Sequence, residues 1–341
     1  GHEVAWEELE LPWNLPHSSE EKTQGIPSYS LLEKELVVSG DGFKYVFNRT
    51  DGQLTSMIVQ DMELLKSPLR LNLWRAPLAN ELDNWNASSA RSFNWKEGYG
   101  YTIATEMYSA GIDRLTHQPL SFSVSESTEG VHIHIIDAEL MGKGEKEKKD
   151  LYIEGVQNNG ITNHYEYIIN SEGTIEIRHV LKPEGKMPLW FPRIGLTMTV
   201  SDALDQVKWY GRGPQENYPD RKTGYPTGIY VSTVQDMYEP YLMPQDYGLR
   251  TDVRWLQLTT DKGIGLQFKM NEWFNFNIYP YSTDNLTKAM YTYQLQRQKG
   301  MTLNLDYATT GVGCTARGVF GSYKAMPQEY RRTISIKPIM N

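Results

Sequence analysis

The feature that most limits what this chain can fold into is a period of two in its apolar residues, confined to short runs. Phe43 to Phe47 (FKYVF) and Leu54 to Val59 (LTSMIV) flank Asn48-Arg49-Thr50-Asp51-Gly52, a loop that ends in Asp-Gly. A period of two sends alternate side chains to opposite faces of a strand, and Asp-Gly supplies the backbone angles of a tight hairpin. The rhythm returns at Val131 to Ile136, His164 to Ile169 and Thr174 to Leu181. Trp255 to Leu258 then runs through Asp261-Lys262-Gly263 into Ile264 to Phe268, followed by Phe274 to Tyr279, Met301 to Leu305 and Thr333 to Ile336. Helical stripes are nearly missing, the best being a short one around Ala87 to Lys96, and no internal repeat is present. Strands punctuated by turn signals predict a large antiparallel β protein.

Composition narrows the function classes. The 341 residues suffice for one large β domain or two ordinary ones, and a 39% apolar share with 22 Tyr and 9 Trp supports a core with aromatics to spare for ligand walls. A net charge of −8 without a basic stripe excludes a nucleic-acid partner, because phosphate binding needs a basic face. The charge run Lys143 to Asp150 (KGEKEKKD) mixes both signs and reads as a solvated loop. The single Cys314 rules out a disulfide framework and a cysteine metal site, and with no His near it in sequence it is not a candidate nucleophile. No apolar run is long enough to span a bilayer, so no membrane partner is expected; a soluble protein of cytoplasm or periplasm fits equally well. The chain begins GHEVAWEELELPW, without an initiator Met and directly in strand-like alternation, and so reads as a piece of a longer polypeptide. Trp6 and Trp13 would then pack against a preceding domain, and the polar stretch Glu20 to Ile26 serves as linker.

Two regions break the strand rhythm. Arg75 to Tyr101 is long, polar and Trp-rich. The other is Trp209 to Gly224 (WYGRGPQENYPDRKTG), continued by Asp236 to Arg254. Long aromatic loops in a compact domain are usually functional. In the second region Trp209 and Tyr218 offer flat faces while Glu216, Asn217, Asp220 and Arg221 offer donors and acceptors, the combination a sugar site needs. The competing reading, and the favoured one, is a self-satisfied loop in which Arg221 pairs with Glu216 or Asp220 and holds sheets together. His132 and His134 share one strand face, but a metal needs a third ligand and supporting hydrogen bonds behind it. With Val131, Ile133 and Ile135 opposite, the histidines read as the wet face of a sheet, and no metal is assigned to this chain. Asn48-Arg49-Thr50, Asn86-Ala87-Ser88 and Asn285-Leu286-Thr287 fit the glycosylation tripeptide, a pattern common by chance.

Trp209-x-Gly211-x-Gly213-Pro214-Gln215-Glu216-Asn217-Tyr218-Pro219-Asp220-Arg221 resembles the signature of the C-terminal domain of large family 2 glycoside hydrolases of the β-galactosidase type. Asp236-Met237-Tyr238-x-Pro240-Tyr241 and Gly248-Leu249-Arg250-Thr251-x-x-Arg254 continue the agreement. Upstream, Phe47-Asn48-Arg49-x-x-Gly52-x-Leu54 and Arg75-Ala76-Pro77-Leu78-x-Asn80 match the same domain, as does the Gly1-His2…Ala5-Trp6 start.

That resemblance implies an all-β fold, the large antiparallel supersandwich of the galactose-mutarotase type, over residues 28–341. Residues 1–27 would be the last strand of an immunoglobulin-like domain plus a linker. The chemistry, retaining hydrolysis of terminal β-D-galactosides by two glutamates, would lie in an N-terminal (β/α)₈ barrel outside this chain, which therefore carries no catalytic residue and is expected to be inactive alone. Any Mg or Na use would belong to the barrel; no cofactor is expected here. The implied partners are the N-terminal domains of the same polypeptide, a β-galactoside or related carbohydrate, and further copies in a homo-oligomer. The loop after Arg-Ala-Pro would approach the active-site mouth, so Asn80, Glu81, Asp83 and Trp85 would line the aglycone side. Near the C-terminus, Gly311-Val312-Gly313 is not followed by the family's Trp, which leaves Arg317 or Phe320 in its place. The alternative from another class is a free-standing sugar-binding or aldose-1-epimerase-like protein, which needs a His acid and a carboxylate base on a concave face. The seven histidines lie outside the aromatic-polar segments, and Glu176 with His179 is the pairing closest to that requirement.

Overall fold

The hairpin signalled by Asp-Gly forms where the alternation places it. In the computed structural model, which describes residues 7–9, 25–82, 103–142, 159–313 and 318–340, β3 (Phe43–Asn48) pairs antiparallel with β4 (Gln53–Val59). Gly52 takes φ +72°, and a Cβ there would sit 2.8 Å from Ile135 Cγ2, so the position needs both a left-handed backbone and no side chain. β1 (Ser28–Leu31), β2 (Glu35–Gly40) and β5 (Met62–Glu63) complete a five-stranded sheet in sequence order.

The larger sheet contains β6 (Leu65–Asn72), β7 (Thr116–Ser127), β8 (Gly130–Leu140), β9 (Gly160–Ile169), β10 (Ile175–Glu184) and β11 (Arg193–Val200). It continues with β12 (Gln206–Arg212), β13 (Thr227–Thr233), β14 (Arg250–Thr259), β15 (Gly265–Tyr279), β16 (Met301–Thr309) and β17 (Tyr330–Ile339). Its main path is β13-β12-β14-β15-β17-β10-β9-β8-β7, and it forks at β15. Gly265 to Met270 pairs with β17, whereas Asn275 to Tyr279 pairs with β16, which leads on to β11 and β6. The sequence suggests two strands here; the structure joins them into one, with Asn271, Glu272 and Trp273 exposed between the buried halves.

Further strands carry little periodic signal, for identifiable reasons. β11 (RIGLTMTV) is buried on both faces over its first four residues, which removes alternation. β7 contains Pro119 and lies at a sheet edge, where a missing N–H is tolerated. Trp209 to Arg212, the start of the irregular stretch, is a correction to its aperiodic reading. It ends β12, with Trp209 inward and Tyr210 outward. The helices are short: α1 (Ala79–Leu82), α2 (Ile103–Ala110) and α3 (Thr283–Lys288). The stripe at Ala87 to Lys96 lies outside the described residues, as does Lys143 to Asp150.

The two sheets share one core. Leu36, Val38, Tyr45, Phe47 and Val59 are fully buried with Val131, Ile133, Ile175, Ile177 and Phe268 in one cluster. Phe47 meets Tyr167 edge-on at 5.2 Å, and the Tyr45 hydroxyl donates to Gly173 O at 2.7 Å. A smaller aromatic cluster, built on Ala76, Tyr247, Tyr279 and Leu286, covers one end. The protein is thus a mostly antiparallel β sandwich.

Candidate functional site

The two segments that interrupt the strand rhythm converge on residues 310–313, just after β16. Arg75 follows β6 and is wholly buried. Its Nη1 donates to Thr310 O at 2.6 Å, and its Nη2 to Gly311 O at 2.9 Å and to Glu81 Oε1 at 2.7 Å. Burial opposes the guanidinium charge, but Glu81 and Asp246 together offset it, so the Arg75 pKa lies above its ordinary value. Glu81 Oε2 accepts the Leu78 N–H at 2.9 Å. Being 5% exposed and doubly engaged, Glu81 organises the turn from inside and presents no carboxylate to solvent.

Asn80 and Asp220 both bind the backbone of Val312 and Gly313. Asn80 Nδ2 donates to Val312 O at 3.0 Å. Asp220 accepts Val312 N–H through Oδ1 at 2.9 Å and Gly313 N–H through Oδ2 at 2.7 Å. A carboxylate bound to two adjacent backbone N–H groups is a charge-assisted clamp. Gly311 makes it possible, because a Cβ there would lie 2.3–2.5 Å from the Asp220 carboxylate atoms. Thr310 continues the anchoring, donating through Oγ1 to Phe191 O at 2.6 Å.

Within Trp209 to Gly224, Glu216 and Asn217 are satisfied by other protein groups, many of them in the segment 241–251. Glu216, 5% exposed, accepts from Arg221 Nη2 at 2.8 Å, from Gly248 N–H at 2.8 Å and from the Tyr241 hydroxyl. Asn217 is fully buried, donating its N–H to Leu249 O at 2.8 Å and accepting from Thr251 N–H at 3.1 Å. Trp209 and Tyr218 are each 1% exposed, so neither offers a face to a ligand; Arg250 lies 5.4 Å over the Trp209 ring and Arg221 5.4 Å over the Tyr218 ring. Of the residues proposed for sugar contact in this stretch, Arg221 keeps an exposed side chain and Asp220 a half-buried one. Asp83, Trp85 and Arg317 lie outside the described residues, whereas Phe320 is 72% exposed beyond the clamp.

Beneath the clamp runs a buried polar ladder that sequence reading missed. Asn72 donates to Asn304 at 3.0 Å, Asn304 to Asn277 at 2.9 Å and Asn277 to Asp246 at 3.0 Å. Arg193 lies 3.4 Å from Asp246 and 3.3 Å from Asp306, all without exposed side-chain surface. Burial pushes Asp306 up, to about 6, against the opposing Arg193 charge. Asn277, Asn304 and Asp306 alternate with apolar residues along β15 and β16 and so read as a wet face, although both faces of these strands are buried.

His179 is buried at 1% exposure, stacked on Tyr165 at a centroid separation of 4.1 Å. Asn163 Nδ2 donates to Asp137, so its Oδ1 accepts from His179 Nε2, and His179 Nδ1 accepts from the Tyr307 hydroxyl. Burial pushes the His179 pKa down to about 3, which keeps it neutral. Among the described residues, two groups of side chains have metal-ligand chemistry: His117 with Asp137 and Glu139, and His132 with His134 and Glu166. In the first, the hydrogen bond to Glu139 raises His117 to about 9 despite partial burial. Its protonated nitrogens face Glu139 at 2.8 Å and Asp51 O at 2.7 Å, so it acts as an internal cation tying the β3–β4 turn to the large sheet.

Comparison with known proteins places the sequence in a family. A family model described as beta galactosidase small chain matches residues 39–336. A beta-galactosidase of Priestia megaterium is 31% identical over 92% of this chain and 27% of its own length. One from Pseudoalteromonas haloplanktis is 28% identical over 85% of this chain and 25% of its own. The chain thus spans about a quarter of these relatives. Among solved structures, galactose 1-epimerase from Lactobacillus acidophilus NCFM is 10% identical, with 93% of this chain and 98% of that chain covered and a TM-score of 0.42.

Proposed function

Because this chain belongs to the beta-galactosidase small-chain family, we propose that it is the non-catalytic C-terminal domain of a β-galactosidase and that it shapes the mouth of an active site on a neighbouring domain. The observation that carries this reading is the clamp at 310–313. Asn80 and Arg75 bind one side of that segment and Asp220 the other. Asn80 of α1 and residues 310–313 are therefore held at one fixed point, and groups fixed beside a substrate conserve orientation at the reacting bond. The retaining reaction itself needs two carboxylates about 5–5.5 Å apart and open to sugar and water. Asp246 and Asp306, which share Arg193, are fully buried and unsuited to that task. The epimerase alternative fares no better, since His179 is sealed between Tyr165 and Tyr307.

Two measurements test this. The isolated chain, incubated with a chromogenic β-galactoside, is expected to show no turnover; a rate comparable with an intact family member refutes the assignment. In the intact enzyme, Asp220→Ala should raise KM for disaccharide β-galactosides several-fold with a smaller change in kcat. An unchanged KM would show that the clamp does not serve the mouth.

A further inference from the structure

Strands β8 and β9 bring three ligand-type side chains together on the outer face of the large sheet. Alternation sends Val131, Ile133 and Ile135 into the core at 1% exposure or less, and His132 and His134 outward. The register then sets His134 directly opposite Glu166 of β9. The ligating atoms of His132, His134 and Glu166 all lie within 4.8 Å of one another. His132 Nδ1 and Glu166 Oε1 are 3.0 Å apart. Two atoms each about 2.0–2.1 Å from one metal ion are separated by about 2.9 Å at a right angle and about 3.4 Å at the tetrahedral angle. This pair is already spaced as ligands. His134 is exposed, its ring 6.3 Å from that of His132, and rotation about its side-chain bonds closes the remaining gap.

Supporting groups hold both inner ligands. Ser127 Oγ lies 2.8 Å from His132 Nε2 and can accept that N–H, which leaves Nδ1 as the atom that ligates once the proton it shares with Glu166 is displaced. Arg178 Nη1 holds the other Glu166 oxygen at 3.2 Å, so Oε1 stays aimed at the imidazole. Arg178 also meets Glu176 at 2.8 Å and Glu129 at 3.7 Å. One guanidinium against three carboxylates leaves this patch negative when the histidines are neutral, which favours a cation.

We propose that His132, His134 and Glu166 form a binding site for a divalent transition-metal ion, Zn²⁺ or a similar borderline ion, that links β8 to β9. Two imidazole nitrogens with one carboxylate oxygen suit Zn²⁺, Ni²⁺ or Cu²⁺ and disfavour Mg²⁺ and Ca²⁺. On binding, the ion takes the place of the proton shared by His132 and Glu166, which passes to solvent, and water fills the remaining positions.

Calorimetric titration of the intact protein with Zn²⁺ tests the site, comparing wild type with His134→Gln and Glu166→Gln. Each variant is expected to bind one Zn²⁺ fewer and to lose a Zn²⁺-dependent rise in thermal midpoint, with metal-free circular dichroism unchanged. Ser127→Ala should keep the stoichiometry and weaken binding about 10–100-fold. Equal Zn²⁺ stoichiometry in wild type and both variants, or a loss in only one of the two, overturns the three-ligand site. Electron paramagnetic resonance of the Cu²⁺-loaded wild type gives a check that needs no variant. Coupling to two imidazole nitrogens supports the proposal, and a spectrum without it overturns the site.

Discussion

His179 shows how far a single side chain can be determined by its surroundings. Tyr165 stacks on one face, Tyr307 and Asn163 occupy both nitrogens, and burial lowers its pKa to about 3. A folded value below the unfolded one of about 6.5 means that the unfolded chain takes up the proton first. Stability from this group is therefore complete above about pH 6.5 and lost as pH falls through the window down to about 3, by up to about 1.4 kcal/mol per pH unit. Asp137, pushed up to about 6 by burial, works in the opposite sense: its contribution is complete below its ordinary range and lost as pH rises through 6. Urea unfolding of His179→Gln between pH 6.5 and 4 should give a stability slope shallower than wild type by up to one proton. Parallel slopes would show that His179 titrates normally. The sequence placed His179 on a strand but gave no hint of this role, because its partners come from 16 and 128 residues away.

At the scale of elements, the loops behave as extensions of strands. Residues 310–313 carry no side chain longer than valine, yet Arg75, Asn80 and Asp220 all spend hydrogen bonds on their backbone. Gly311 is the position where that arrangement has no slack. Gly311→Ala should push the Asp220 carboxylate away and cost about 1–3 kcal/mol, an overpacking penalty measurable in urea unfolding. A variant as stable as wild type would show that Asp220 can shift without loss. Turn chemistry made the β3–β4 hairpin readable, because Asp-Gly and alternation act over neighbouring residues. The clamp was readable only as unusual composition. Its polar residues were recognised as a group, and of the two pairings expected for Arg221, with Glu216 or with Asp220, the first is present at 2.8 Å. That Asp220 instead faces residues 92 and 93 positions away depends on how β12 and β16 are brought together.

Over the whole molecule, both sheets are committed to one core. Tyr45 of the small sheet is fully buried and donates across the interface to Gly173 O at 2.7 Å, beside the Phe47–Tyr167 contact. Tyr45→Phe leaves that buried carbonyl without its partner, at a cost of about 1–3 kcal/mol. The variant should still unfold in a single transition, with circular dichroism and tryptophan fluorescence coincident. Two separated transitions would refute a shared core. The same commitment accounts for the proposed function: a rigid sandwich gives the clamp a fixed base.

What the sequence determined by itself was local. Period-two alternation and turn residues specified the β class and several strands, and the ordered motifs from Phe47 to Arg254 identified the family. The tertiary structure decided which polar residues serve the interior. Glu81 and Trp209 turned inward, His117 became a half-buried cation, and the outward His132 and His134 gained Glu166 from the next strand. Neighbouring residues fix a side chain's parity, whereas its partner is fixed by strand register and by the closing of one sheet on another. Those are long-range contacts that a linear pattern does not encode.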